Sequence, residues 1–152
     1  MGGNGNHKVL RMEIDMTGLA DAFAAANRSP QEVIIPRGSA IRGAWLRVLV
    51  AATSSGGGTL DVGTWGTGDA ADDPNGIVDA VTVAELTSIG EIHVCDGAMI
   101  NASGQTTVGV TSTSDVVIAP SYDTAVFQTG KVELVVEYDE PAGSAGDTLA
   151  AV

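Results

Sequence analysis

The sequence predicts an all-β domain, an antiparallel β-sandwich or jelly roll with an extended N-terminal arm. Three observations predict it. About seven to nine short stretches alternate between apolar and polar residues with turn signals between them. Glycine occurs 20 times while aromatics make up only 4%, a composition of many turns and small residues. The 152 residues are 44% apolar and 17% charged. That is too apolar for a disordered chain, and the length suits one domain burying about two thirds of its extended surface.

Taken in order, residues 1–6 (Met-Gly-Gly-Asn-Gly-Asn) read as a flexible leader. Residues 8–16 alternate cleanly, with Leu10, Met12, Ile14 and Met16 on one face and Arg11, Glu13 and Asp15 on the other. Together residues 1–16 form the predicted arm and first strand. Residues 17–27 suit a short helix or turn, with Thr17 as N-cap and Leu19 and Phe23 four apart. Val33, Ile34 and Ile35 form a short strand, closed by the turn Pro36-Arg37-Gly38-Ser39. Residues 41–53 are the strongest strand. Leu46, Val48 and Val50 share one face there; Trp45, Arg47 and Leu49 share the other.

A Ser/Gly loop leads to a strand over 59–64 with Leu60 and Val62 on one face. A Gly- and Asp-rich loop follows over 66–76, ending in Asp73-Pro74-Asn75-Gly76. Residues 77–89 fit either period: Val81 and Val83 suit a strand, Ala84-Glu85-Leu86 a helical turn. Residues 91–96 alternate, with Ile92 and Val94 against Glu91, His93 and Cys95. Further strands are expected over 106–112 and 115–119, the latter ended by Pro120. In the last, Val132, Leu134, Val136 and Tyr138 face inward and Lys131, Glu133, Val135, Glu137 and Asp139 outward. The sandwich thus spans 17–140, and 141–152 read as a loose tail.

The net charge is −12, which argues against nucleic acid and against an anionic membrane as partners. Cations cluster early: Lys8, Arg11, Arg28, Arg37, Arg42 and Arg47 precede a stretch over 48–130 with ten carboxylates and no cation. The basic third is therefore the part expected to face an acidic partner. A single cysteine, Cys95, forms no intrachain disulfide. No signal-type apolar core and no membrane-length apolar run is present.

Catalytic patterns are weak. Ser144 lies in a Gly/Ala tail one position off a nucleophile elbow, and the two histidines, His7 and His93, have no triad spacing. His93 and Cys95 share a strand face without a third ligand nearby. Asp69, Asp72, Asp73, Asn75 and Asp79 offer hard oxygens at calcium-like density, but the EF-hand register fails and a solvated turn is the simpler reading. No enzyme activity and no cofactor are expected. Trp45 and Trp65 lie opposite the main apolar faces of their strands, so each is either covered on a second face or exposed at a contact.

Several of these segments together resemble a known family: Val33-Ile34-Ile35-Pro36-Arg37-Gly38-Ser39, the strand over 41–50, Leu60-Asp61-Val62-Gly63-Thr64, Asp72-Asp73-Pro74-Asn75-Gly76-Ile77 and Gly130-Lys131-Val132-Glu133-Leu134-Val135-Val136-Glu137-Tyr138. The chain resembles the head decoration, or cement, proteins of tailed bacteriophages. The resemblance implies a jelly-roll sandwich on the virion exterior, made in the host bacterial cytoplasm. It implies binding to the major capsid protein as a homotrimer that stabilises the shell. Lys8, Arg11, Arg28, Arg37, Arg42, Arg47, Trp45 and Trp65 are the expected contacts. The alternative is a carbohydrate- or host-binding sandwich of a phage fibre.

Overall fold

The structure is a computed structural model that describes residues 7–21, 29–36, 38–66, 71–100 and 116–141. Among the described residues there are eight strands: β1 (His7–Asp15), β2 (Val33–Ile35), β3 (Ala40–Ser54), β4 (Thr59–Trp65), β5 (Ala71–Thr82), β6 (Ile92–Val94), β7 (Val116–Asp123) and β8 (Phe127–Asp139). They form two four-stranded antiparallel sheets, ordered β1-β8-β3-β6 and β2-β7-β4-β5. The first strand pairs with the eighth, the second with the seventh, the third with the sixth and the fourth with the fifth. Such nested pairing is a β-hairpin of four strand pairs rolled into a sandwich, the jelly-roll topology.

Alternation decides what each sheet buries. In the first sheet Met12, Leu134 and Leu46 lie in one cross-strand row, and Ile14, Val132 and Val48 in the next. All six are buried, and they face Ile35, Leu60, Val62 and Ile118 of the second sheet. Leu86 and Phe127 join the same core. β1 is part of the sandwich and not a separate arm: it pairs with β8 from His7↔Asp139 to Asp15↔Lys131 and buries Met12 and Ile14.

The register of β3 against β8 shifts four times, and the first two shifts set which side chains near them face the core. The register against β8 steps between Ile41 and Gly43, which leaves Arg42 as the extra residue and lets Ile41 and Ala44 both point inward. A second step between Val48 and Val50 turns Val50 outward, where it is 44% exposed. Val50 therefore does not share the core face of Leu46 and Val48. Opposite this region Gly130 has φ 133, and a Cβ there would stand 2.3 Å from Met16 Cε. Only glycine lets the two strands and Met16 close up.

Other elements also depart from the expected ones. The turn after β1 is a 3-10 turn, Met16–Gly18, capped by Asp15, whose carboxylate accepts from the Thr17 amide; Thr17 is not the cap. Asp73-Pro74-Asn75-Gly76 lies inside β5 and not in a loop before it. Its residues bulge out, because Thr64↔Asp73 is followed by Val62↔Val78. β5 is the edge of its sheet, where a proline is tolerated. β7 likewise runs through Pro120, since β2 pairs only with Val116, Val117 and Ile118. The helical turn suggested by Ala84-Glu85-Leu86 forms as a 3-10 turn, Val83–Leu86, with a Thr82–Glu85 capping box. The strand expected over 106–112 and most of the helix expected over 17–27 lie outside the described residues, as do the leader and residues 142–152.

Candidate functional site

The outer faces of the two sheets differ. On the second sheet, Asp61, Gly63 and Trp65 of β4 lie in register with Ser121, Ala119 and Val117 of β7, and all six are buried. Trp65, Val117 and Ala119 form a small second apolar cluster. Trp65 is 0% exposed, so in the free chain it offers no surface to a partner. Gly63 allows this coverage: a Cβ would stand 1.9 Å from the Asp73 carbonyl, which crosses the face there.

Asp61 is the buried ionisable group of this region. One oxygen accepts from the Ala80 amide at 2.8 Å, and Ala80 sits in the left-handed region at φ 51. Burial pushes its carboxyl up to about 6, against the bond from Ala80; Asp79 and Asp123 push further in the same direction. Ser121, its cross-strand neighbour, has a buried hydroxyl without a hydrogen-bond partner.

The outer face of the first sheet is open. Its central row runs Arg11, Val135, Trp45, Val94 across β1, β8, β3 and β6, and the next row runs Glu13, Glu133, Arg47, Ile92. Trp45 is half-buried between Val135 and Val94. Val9, Ile92 and Val94 on the same face are 51%, 59% and 81% exposed. Thus Ile92 and Val94, the apolar members of the β6 pattern, face solvent, while Cys95 is buried.

The charges divide in the same way. Among the described residues every Lys and Arg (Lys8, Arg11, Arg42, Arg47 and Lys131) stands on a strand of the first sheet. Arg11 pairs with Glu133 at 3.4 Å, Lys131 with Glu13 at 3.5 Å and Arg42 with Asp139 at 2.6 Å. The bonds from Arg42 and His7 hold the Asp139 carboxyl below its usual range. These pairs are exposed and contribute orientation more than stability. Lys8 and Arg47 have no carboxylate partner among the described residues. Arg28 and Arg37 lie outside the described residues.

The remaining candidates do not converge. Asp69 lies outside the described residues, and nothing is described of the Asp72 side chain. Asn75 donates to Asp79 at 2.9 Å across one bulge of β5. Among the described residues no three His, Cys, Asp or Glu side chains could hold a metal ion together. His7 pairs with Asp139, and the His93 ring bonds to the Glu85 carbonyl, closing the sandwich end. Burial pushes the Cys95 thiol up to about 12, which keeps it protonated and unreactive at neutral pH. Ser144 lies outside the described residues. Sequence reasoning missed Val9, Ile92 and Val94 as surface residues, because alternating apolar residues on a strand read the same whether they face a core or a partner.

No family model matches the chain, and no curated protein is similar to it. Solved structures are. The chain is similar to one in the capsid of Ralstonia phage GP4, with TM-score 0.55 and 15% identity over 90% of this chain and 86% of that one. It is also similar to one in an acidic stable capsid structure of Helicobacter pylori bacteriophage KHP30, with TM-score 0.54 and 16% identity over 89% and 88%. A third similarity, at TM-score 0.45 and 22% identity over 90% and 86%, is to a chain of the cyanophage Pam1 capsid asymmetric unit. At these identities the likeness is one of fold: this jelly roll is built like chains that occur in phage capsids.

Proposed function

We propose that this chain is a non-enzymatic structural protein of a tailed phage. It binds the outside of the capsid, at the virion exterior, and reinforces the shell of major capsid protein as a decoration or cement protein. The observation that carries the reading is the open face of the first sheet. Trp45, Ile92 and Val94 form an apolar patch at the β3–β6 side of that face, Val9 is exposed at its β1 edge, and Arg11, Arg42, Arg47 and Lys131 stand on the same face, in a chain whose fold is shared with chains in phage capsids. Apolar contact contributes about 25 cal/mol per Å² before association costs, and the rim charges set orientation and encounter rate. Arg11, Arg42 and Arg47 orient the face and Trp45 is its anchor; Lys8 alternates to the Leu10 and Met12 side of β1. Trp65 serves the fold. Self-association as a homotrimer belongs to the same proposal and would place three such faces on one set of capsid subunits.

The test is co-sedimentation with heads lacking this protein. Wild type pellets with the heads. Trp45→Ala, at a hot-spot cost of about 2 kcal/mol, binds roughly 30-fold more weakly. The indole is partly buried, so the variant's fold is checked by circular dichroism and binding is compared at a temperature where it is folded. A wild-type protein that stays in the supernatant at low and moderate salt overturns the reading. So does a Trp45→Ala variant that pellets as well as wild type.

A further inference from the structure

We infer that β6 is a strand-addition edge, which accepts an extended segment of the shell subunit as a fifth strand of the first sheet. This rests on the capsid-binding reading and names the contact within it. β6 is the outermost strand of the order β1-β8-β3-β6. The Cys95 amide donates to the Ala44 carbonyl and the Glu91 carbonyl accepts from the Val48 amide. The odd-numbered residues therefore bond to β3. By ladder alternation, Ile92 and Val94 turn their N–H and C=O groups away from it, toward a side where no described strand pairs. Their side chains are 59% and 81% exposed.

The other three edges of the sandwich are blunted in ways this one is not. β1 carries Lys8 and Arg11. β2 is three residues long, flanked by Pro30 and Pro36. β5 contains Pro74, several register shifts and the left-handed Ala80. Charge, shortness with proline and bulging are the ordinary protections of a sheet edge. β6 is also short, but it has no Lys, Arg or Pro and presents two apolar side chains to the open face.

Charge complementarity selects the occupant. Arg47 stands in register with Ile92 on one side and Glu133 on the other; Glu133 pairs with Arg11, and no carboxylate lies within ion-pair distance of Arg47 among the described residues. A strand added outside β6 brings a side chain over Ile92 within reach of that guanidinium. The fitting segment is extended, apolar where it flanks Val94, and carries a carboxylate beside Ile92. Backbone hydrogen bonds from such an addition hold the segment, and alternate side chains select it. A second copy fits less well, because each copy brings a net charge of −12.

Val94→Pro tests this directly. Proline removes only the amide that faces away from β3 and blocks the added strand. With heads lacking the protein as the probe, wild type binds and Val94→Pro binds at least tenfold more weakly. Hydrogen exchange on the wild-type protein reads the same edge without a mutation: the Ile92 and Val94 amides exchange fast in the free chain and slow at least tenfold on heads. Wild type that binds heads while both amides stay fast overturns the edge inference and leaves the capsid reading standing. Wild type that does not bind heads overturns the capsid reading itself. A wild-type dimer in light scattering that Val94→Pro converts to monomer assigns the edge to a second copy and overturns the shell-segment occupant.

Discussion

Replacing Asp61 with asparagine should stabilise the protein near neutral pH and leave it unchanged near pH 4. Asp61 is 2% exposed and its pKa is raised from 3.8 to about 6. A raised folded-state value means the folded chain holds a proton that the unfolded chain has released. The associated stability is fully present below about pH 3.8 and is lost as pH rises to about 6. At about 1.4 kcal/mol per pKa unit, the loss is at most about 3 kcal/mol. For a domain of this size each kcal/mol moves the melting temperature by about 2–4 °C. The side-chain amide introduced by Asp61→Asn is neutral at every pH. Its carbonyl can keep the bond from the Ala80 amide, and its NH₂ faces the unpartnered Ser121 hydroxyl across the strand pair. Asp15, Glu85 and Asp139 carry lowered values from their own hydrogen bonds and stabilise in the opposite direction, above their usual pKa. The informative quantity is therefore the difference between variant and wild type, followed by urea unfolding at about pH 4, 5, 6 and 7. It should grow across that series by about 1–3 kcal/mol in favour of the variant. A difference that is flat with pH, or a variant less stable than wild type at neutral pH, refutes the reasoning.

Gly130→Ala should cost at least about 1–3 kcal/mol, since φ 133 strains any side chain and the new methyl would press on Met16 Cε and on Ala52. A melting temperature within about 2 °C of wild type would contradict this. Deleting residues 1–16 should unfold the domain. It removes the strand that pairs with β8 along its length, along with buried Met12, Ile14 and Met16 at about 1.5–3 kcal/mol each. That total is comparable to the whole stability of an ordinary domain. A cooperative melt of the truncated chain by circular dichroism would show otherwise.

The sandwich was legible where burial has one side. β1 and β8 show a clean period of two, and their inward residues are the ones the alternation picks out. β3 was legible only to the shift after Val48, because an inserted residue flips the side chains beyond it until the next shift, which returns Ala52 to the core, and neither leaves a mark in composition. β5 was hidden by Asp-Pro-Asn-Gly, which makes a good turn in isolation and becomes a bulge only because an edge strand has room for one. Asp61 escaped notice for a different reason. Alternation puts it opposite Leu60 and Val62, which on a one-sided sheet means solvent; on this sheet both faces are buried. Trp65, four residues on with the same parity, was the available signal that the second face is covered.

That asymmetry between the sheets also bears on how the chain would sit on a surface. The second sheet spends its outer face on its own fold, burying Trp65, Val117 and Ala119. The first sheet leaves Val9, Ile92 and Val94 in solvent and holds all the described Lys and Arg residues. On the first sheet's strands those five cations meet a similar number of carboxylates, namely Glu13, Asp15, Glu133, Glu137 and Asp139. The net charge of −12 therefore resides mainly on the rest of the molecule. An acidic surface approached by such a chain repels most orientations and tolerates the one that presents the first sheet. A chain bound that way keeps the bulk of its negative charge off the contact. Raising salt should accordingly reduce the orientational preference before it weakens the apolar contact, and association should slow more than dissociation quickens.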